Sequence, residues 1–139
     1  MKPKVFSTYS IPENVKEFMA EYCDIRQWQG DGRIPRDILL KEIADVDGLY
    51  TGGRSMVGRI DEELLNYAPH LKVISNVSVG YNNFDVEAMN KRNIIGTNTP
   101  HVLDETVADL TTKHYTLRRL SEYINLSPPN KSPIDSRKW

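Results

Sequence analysis

Leu71-Lys72-Val73-Ile74-Ser75-Asn76-Val77-Ser78-Val79-Gly80-Tyr81-Asn82-Asn83-Phe84-Asp85 holds three pieces of structure in succession. Leu71–Ser75 is a short apolar run with a β-branched centre, the composition of a buried strand. Asn76–Tyr81 is a polar loop with a single glycine. Asp85 then stands where an N-cap belongs, ahead of a short helix over Val86–Lys91. Ile94–Asn98 reads as the next strand, closed by Thr99-Pro100. Strand, loop, helix and strand in this order form a βα unit whose sheet is parallel.

The same rhythm extends outward in both directions. Lys4–Thr8 is a first strand, bounded by Pro3 and the Ser10-Ile11-Pro12 turn. Glu13–Tyr22 places Val15, Phe18, Met19 and Tyr22 on one helical face. Asp24–Trp28 alternates, as a half-buried or edge strand does. Pro35 suits the first turn of a helix whose face carries Ile38, Leu39 and Ile43. Asp47–Thr51 is a third strand, ended by Gly52-Gly53. Asp61 caps a helix that turns Leu64, Leu65 and Tyr67 inward and stops at Pro69. Leu103–Leu110 begins a further helix, with Asp104 or Glu105 near its positive end. The pattern predicts an α/β fold: five parallel strands with flanking helices on both faces. In such sheets ligands bind beyond the carboxyl ends of the strands, at a topological switch point. Two loops there stand out, Thr51-Gly52-Gly53-Arg54 and Ser78-Val79-Gly80-Tyr81.

Composition bounds the function. The 139 residues carry a formal net charge of -1, with 18 Lys plus Arg against 19 Asp plus Glu. No global basic excess exists to bind nucleic acid or an anionic membrane surface. Apolar runs are too short to span a bilayer, and the stretch after Met1 lacks the apolar segment of a signal peptide. The single Cys23 excludes an intramolecular disulfide and a CxxC motif. A cytoplasmic location is the expectation by elimination. Charge and texture change at residue 112. Lys113, Arg118, Arg119, Lys131, Arg137 and Lys138 face only Glu122 and Asp135 in residues 112–139. Pro and Ser then crowd the last residues, the composition of a tail that is partly helical and then disordered.

Most catalytic patterns fail. Gly30 and Gly32 open a G-x-G, but Pro35 stands at the sixth position of the dinucleotide fingerprint. Gly53 and Gly58 have P-loop spacing, but Arg59 and Ile60 stand where Lys and Ser/Thr are needed. His70, His101 and His114 are separated by 31 and 13 residues and form no metal motif. No G-x-S-x-G elbow occurs, and Cys23 lies where core packing is its expected role. What remains is a backbone anion site. The N–H groups of Val79 and Gly80 can converge on a carboxylate, with Gly80 allowing a tight turn through positive φ and Arg54 adding charge nearby. A plain βα turn explains the same residues, and the local pattern alone favours it.

Four pieces in sequence tip that balance: LKVIS at Leu71–Ser75, SVGYNNFD at Ser78–Asp85, NTP at Asn98–Pro100 and TVADL at Thr106–Leu110. Together they resemble the hallmark segment of the D-isomer-specific 2-hydroxyacid dehydrogenases, in the glyoxylate/hydroxypyruvate and 2-ketogluconate reductase branch. Weaker similarity reaches back to Val5.

The resemblance implies a flavodoxin-like, doubly wound substrate domain over residues 1–111, followed at 112–139 by a diverged or frameshifted tail. It implies a small 2-oxo or 2-hydroxy carboxylate held by the Val79 and Gly80 amides, with Gly52 and Gly53 beside it. It also brings Thr106 near the cofactor, NAD or NADP in full-length members, which are homodimeric. One departure is Asn82, where many relatives carry Asp. The family's G-x-G-x-x-G and its catalytic Arg, Glu and His come later in the chain and have no counterpart in these residues. The expectation is therefore a substrate-binding half with no cofactor, catalytic or metal site of its own, inactive alone. The alternatives are a stand-alone carboxylate-binding module or a truncated subunit that associates with intact relatives.

Overall fold

A computed structural model describes residues 1–100 of the chain. Five strands form one all-parallel sheet: β1 (Lys4–Ser7), β2 (Asp24–Gln27), β3 (Gly48–Thr51), β4 (Val73–Asn76) and β5 (Ile95–Thr97). Their order across the sheet is β2-β1-β3-β4-β5, the flavodoxin-like order. The helices are α1 (Glu13–Ala20), α2 (Arg36–Glu42), α3 (Arg54–Val57), α4 (Glu62–Asn66) and α5 (Val86–Lys91). The chain steps one way across the sheet from β1 to β2 and the other way from β2 onward. Right-handed crossovers must then put the first helix on one face and the later helices on the other.

The core has that arrangement. Alternate residues of each strand feed opposite faces. Val5, Tyr50 and Val73 join Val15 and Met19 of α1. Phe6, Leu49 and Ile74 join Leu39 of α2, Leu64 and Leu65 of α4 and Met89 of α5. Both faces are apolar because both are covered, as parallel sheets require. The row Phe6, Leu49 and Ile74 continues in register to Gly96. A Cβ on Gly96 would lie 2.7 Å from the Phe84 ring, which fills that space instead. β2 is an edge strand, as its alternating sequence predicts.

Helix starts follow local chemistry. The Asp85 carboxylate accepts the Ala88 N–H at 3.0 Å, and that of Asp61 accepts the Leu64 N–H at 3.0 Å. Asp61 also accepts from the Arg36 guanidinium. Burial raises the Asp61 pKa, but these two donors outweigh it and hold the carboxyl below its ordinary value. Pro12 and Pro35 occupy the N-cap positions of α1 and α2. Cys23 is buried with its Sγ donating to the Met19 carbonyl, and burial pushes the thiol up to about 11. Burial and the raised pKa are the setting of a packing cysteine, not of an activated thiolate.

Two aromatic residues depart from expectation. Tyr67, read as inward, is 53% exposed because α4 ends at Asn66 and Ala68 takes the inward place one turn after Leu64. Tyr22 lies beyond the end of α1 and is exposed, its ring resting against Phe18. α3 was not foreseen in the glycine-bounded stretch after β3. The helix over 103–110, His101, His114 and the 112–139 tail lie outside the described residues. Among the described residues no helix is long and apolar enough to cross a membrane.

Candidate functional site

Buried polar residues are distributed unevenly. Ser7 and Thr8, Thr51, Ser75 and Asn76, Asn83, and Thr97 through Thr99 are the buried polar side chains of the described chain. Every one lies at the carboxyl end of β1, β3, β4 or β5, or in the loop that follows. Ahead of these ends, Val5 and Phe6 of β1, Leu49 of β3, Val73 and Ile74 of β4 and Ile95 of β5 are apolar. One end of the sheet is therefore built to hold polar groups away from bulk water, at a cost that only internal hydrogen bonds offset.

Three loops meet at this end. The Val77 N–H donates to the Thr51 carbonyl at 2.7 Å, continuing the β3–β4 pairing into the loops. Gly53 has φ 86° and ψ -159°, a region open essentially to glycine alone. Its N–H donates to Thr51 Oγ1 at 3.2 Å. A Cβ on Gly53 would lie 3.0 Å from Ser78 Oγ, so the loop after β3 touches the loop after β4 there. A Cβ on Gly52 would lie 2.9 Å from the Tyr9 ring and 2.7 Å from Met56. Tyr9 follows β1, whose carboxyl end borders that of β3 at the switch point where the strand order reverses.

The loop after β4 is held from within. Asn76 and Asn83 form a buried amide pair, with Asn76 Nδ2 donating to Asn83 Oδ1 at 2.8 Å. Ser78 Oγ donates to the Gly80 carbonyl at 2.8 Å. Asn98 Nδ2 donates to the Val79 carbonyl at 2.7 Å, and the Thr99 N–H donates to the Ser78 carbonyl at 2.9 Å. The Val79 and Gly80 N–H groups have no acceptor among the described residues. Val79 is 43% exposed and Gly80 is exposed, so this turn lies at the rim of the polar end.

Gly52, Gly53, Val79 and Gly80 thus share one end of the sheet. Arg54, the first residue of α3, is exposed beside them. Thr106 lies outside the described residues. The reading of Gly80 needs correction. Positive φ among the described glycines occurs at Gly32, Gly53 and Gly58, and not at Gly80. No atom lies within 4 Å of where a Gly80 Cβ would stand. The strained turn belongs to Gly53, and Gly80 contributes open space beside its amide. Tyr9, Ser78, Asn83 and Asn98 escaped the sequence reading as site residues. For Asn98 the signal was the clustering of Thr and Asn at the end of β5, at 97–99.

A five-stranded, all-parallel sheet with helices on both faces and buried polar residues at its carboxyl ends defines the class: an open α/β domain, the kind of sheet in which ligands generally meet the strand-end loops. The family model for the D-isomer specific 2-hydroxyacid dehydrogenase catalytic domain matches residues 5–127. The chain belongs to that family. It is 44% identical over 124 residues to the glyoxylate reductase of Thermococcus kodakarensis, covering 88% of this chain and 36% of that protein. It is 44% identical over 109 residues to the glyoxylate reductase of Pyrococcus furiosus, covering 78% and 32%. Among solved structures, a Pyrococcus horikoshii protein superposes with a TM-score of 0.65 at 31% identity, covering 81% of this chain and 32% of that one. The NADPH-dependent glyoxylate/hydroxypyruvate reductase of Sinorhizobium meliloti, solved with NADP and malonate, superposes with a TM-score of 0.56 at 25% identity. That match covers 99% of this chain and 44% of that one. The chain spans about a third of the length of the curated relatives it matches.

A nicotinamide dinucleotide has no cradle in residues 1–100. A phosphate-binding glycine leaves its Cβ space open to the ligand. Here the spaces at Gly30, Gly52, Gly58 and Gly96 are filled by Trp28, by Tyr9 and Met56, by Arg33, and by Phe84 and Met89, and the open spaces at Gly32 and Gly80 each stand without a second open glycine in their loop. The described residues do not fit the group. Among them no cluster of three His, Cys, Asp or Glu side chains is placed to hold a metal ion.

Proposed function

We propose that the chain is the substrate-holding part of a D-2-hydroxyacid dehydrogenase of the glyoxylate/hydroxypyruvate reductase kind. A flavodoxin-like domain over residues 1–111 grips the carboxylate of a small 2-oxo or 2-hydroxy acid. Residues 112–139 form a separate tail. The observation that carries this reading is the pair of amides at Val79 and Gly80 that no acceptor among the described residues engages, beside the Gly52–Gly53 loop, in a chain of this family. Two neutral N–H donors bond the two oxygens of one carboxylate without a fixed counter-charge. Arg54 adds positive potential at the rim. Thr106 is assigned to the cofactor side of the site on the family resemblance alone. Hydride transfer needs a nicotinamide and a positioned acid, and on this reading the 139 residues by themselves supply neither.

Because the site is open to water, binding is weak, with a dissociation constant on the order of millimolar or about 4 kcal/mol. A ligand at ten times that concentration raises stability by about 1.4 kcal/mol through mass action. Thermal unfolding in glycolate and in ethylene glycol tests this, since the two differ by carboxylate against hydroxymethyl. Glycolate is expected to raise Tm by several degrees and ethylene glycol to leave it unchanged. Equal shifts would remove the carboxylate from the account.

A further inference from the structure

Two consecutive carbonyls of the site loop are held by two consecutive residues of another loop. The Ser78 carbonyl accepts the Thr99 N–H at 2.9 Å, and the Val79 carbonyl accepts Asn98 Nδ2 at 2.7 Å. In an extended strand successive carbonyls point to opposite sides. Here both turn toward the segment just past β5, so the chain has left the strand geometry of β4. A trans peptide is planar, and its N–H points opposite to its C=O. Fixing the Ser78 carbonyl therefore fixes the Val79 N–H, and fixing the Val79 carbonyl fixes the Gly80 N–H. Both donors are turned away from residues 98–99, and together.

From this geometry we propose that Asn98 is a positioning residue. By gripping the Val79 carbonyl it aims the Gly80 N–H, and with Thr99 it presents two parallel donors to one carboxylate. The Asn98 side chain is buried, at 4% exposure, and its Oδ1 has no partner among the described residues. Its hydrogen bond to Val79 is the one that its side-chain amide makes among the described residues, so orientation of that peptide is what the side chain accomplishes there. Leaving an amide oxygen buried without a partner is costly in a core, which gives the donor end a role beyond filling space. Binding by aligned donors costs less ordering at the moment of binding.

The effect on affinity rests on the proposed carboxylate site, whereas the effect on peptide orientation does not. Asn98→Asp keeps the side-chain volume and replaces the donor with an acceptor. Asn98→Ala removes the group and serves if the first variant does not fold. Amide dipolar couplings and order parameters are measured on the full chain, with and without glyoxylate. In either variant the Gly80 N–H vector is expected to reorient or lose order, while the Ile74 and Met89 amides keep their wild-type values. An unchanged Gly80 vector would overturn the proposal whatever the ligand does. With glyoxylate, wild-type shifts at Val79 and Gly80 are expected to need about tenfold more ligand in the variants. Equal affinity in wild type and variants would overturn the binding role of Asn98. If wild type shows no shifts at these amides, the proposed function falls, and the proposal falls with it as a binding device.

Discussion

Gly53→Val is expected to cost about 3 kcal/mol of stability and to abolish carboxylate binding, while Gly80→Val stays within about 0.5 kcal/mol of wild type. The contrast follows from backbone geometry. Gly53 sits at φ 86° and ψ -159°, where a side chain adds about 1–3 kcal/mol of strain. A Cβ there also reaches within 3.0 Å of Ser78 Oγ and 3.3 Å of Ser78 Cβ. Relief requires the loop after β4 to retreat, and Ser78 directly precedes the two amides of the site. Gly80 has neither problem, since its φ is not positive and the space about its missing Cβ is empty. Denaturant unfolding of the two variants measures the difference. A destabilised Gly80→Val beside a tolerant Gly53→Val would show that the strain has been placed in the wrong loop.

The purified 139-residue chain is expected to show no reduction of glyoxylate or hydroxypyruvate with NADH or NADPH. The two loops that flank the candidate site, 51–54 and 77–83, carry neither an imidazole nor a carboxyl group. His70 precedes β4 and so lies at the amino end of the sheet, away from the amides. Losing a positioned acid or base costs about 10²–10⁴-fold in rate. The described residues offer no dinucleotide cradle, so they give the hydride donor no seat either. Absorbance of the reduced nicotinamide reads this out directly. Turnover above buffer background that Gly53→Val eliminates would refute the expectation.

Much of this was legible in the sequence because the sheet is buried on both faces. Runs such as Val73-Ile74 and Leu49-Tyr50 announce covered strands, and Asp61 and Asp85 mark helix starts with short-range chemistry that tertiary context does not override. The edge position of β2 was readable from its alternation for the same reason. The errors fall where position depends on contacts distant in sequence. Tyr67 was turned inward by counting along a helix that stops one residue earlier. The need for glycine was assigned to Gly80, yet the strained φ is at Gly53, because the close approach of Ser78 comes from a different loop. Asn98 carried only the coarse signal of a polar cluster at a strand end, which does not say what its side chain holds. Its contact with Val79 spans 19 positions and exists only once β4 and β5 are paired.

The central claim is that the Val79 and Gly80 amides hold a small carboxylate, and amide-resolved NMR titration of the chain with D-glycerate tests it most directly. The expected result is a saturable set of shifts centred on Val79 and Gly80, extending to Gly52 and Gly53, with half-saturation on the order of millimolar. Shifts centred on His101 or on residues 112–139, with the Val79 and Gly80 amides unmoved, would contradict it.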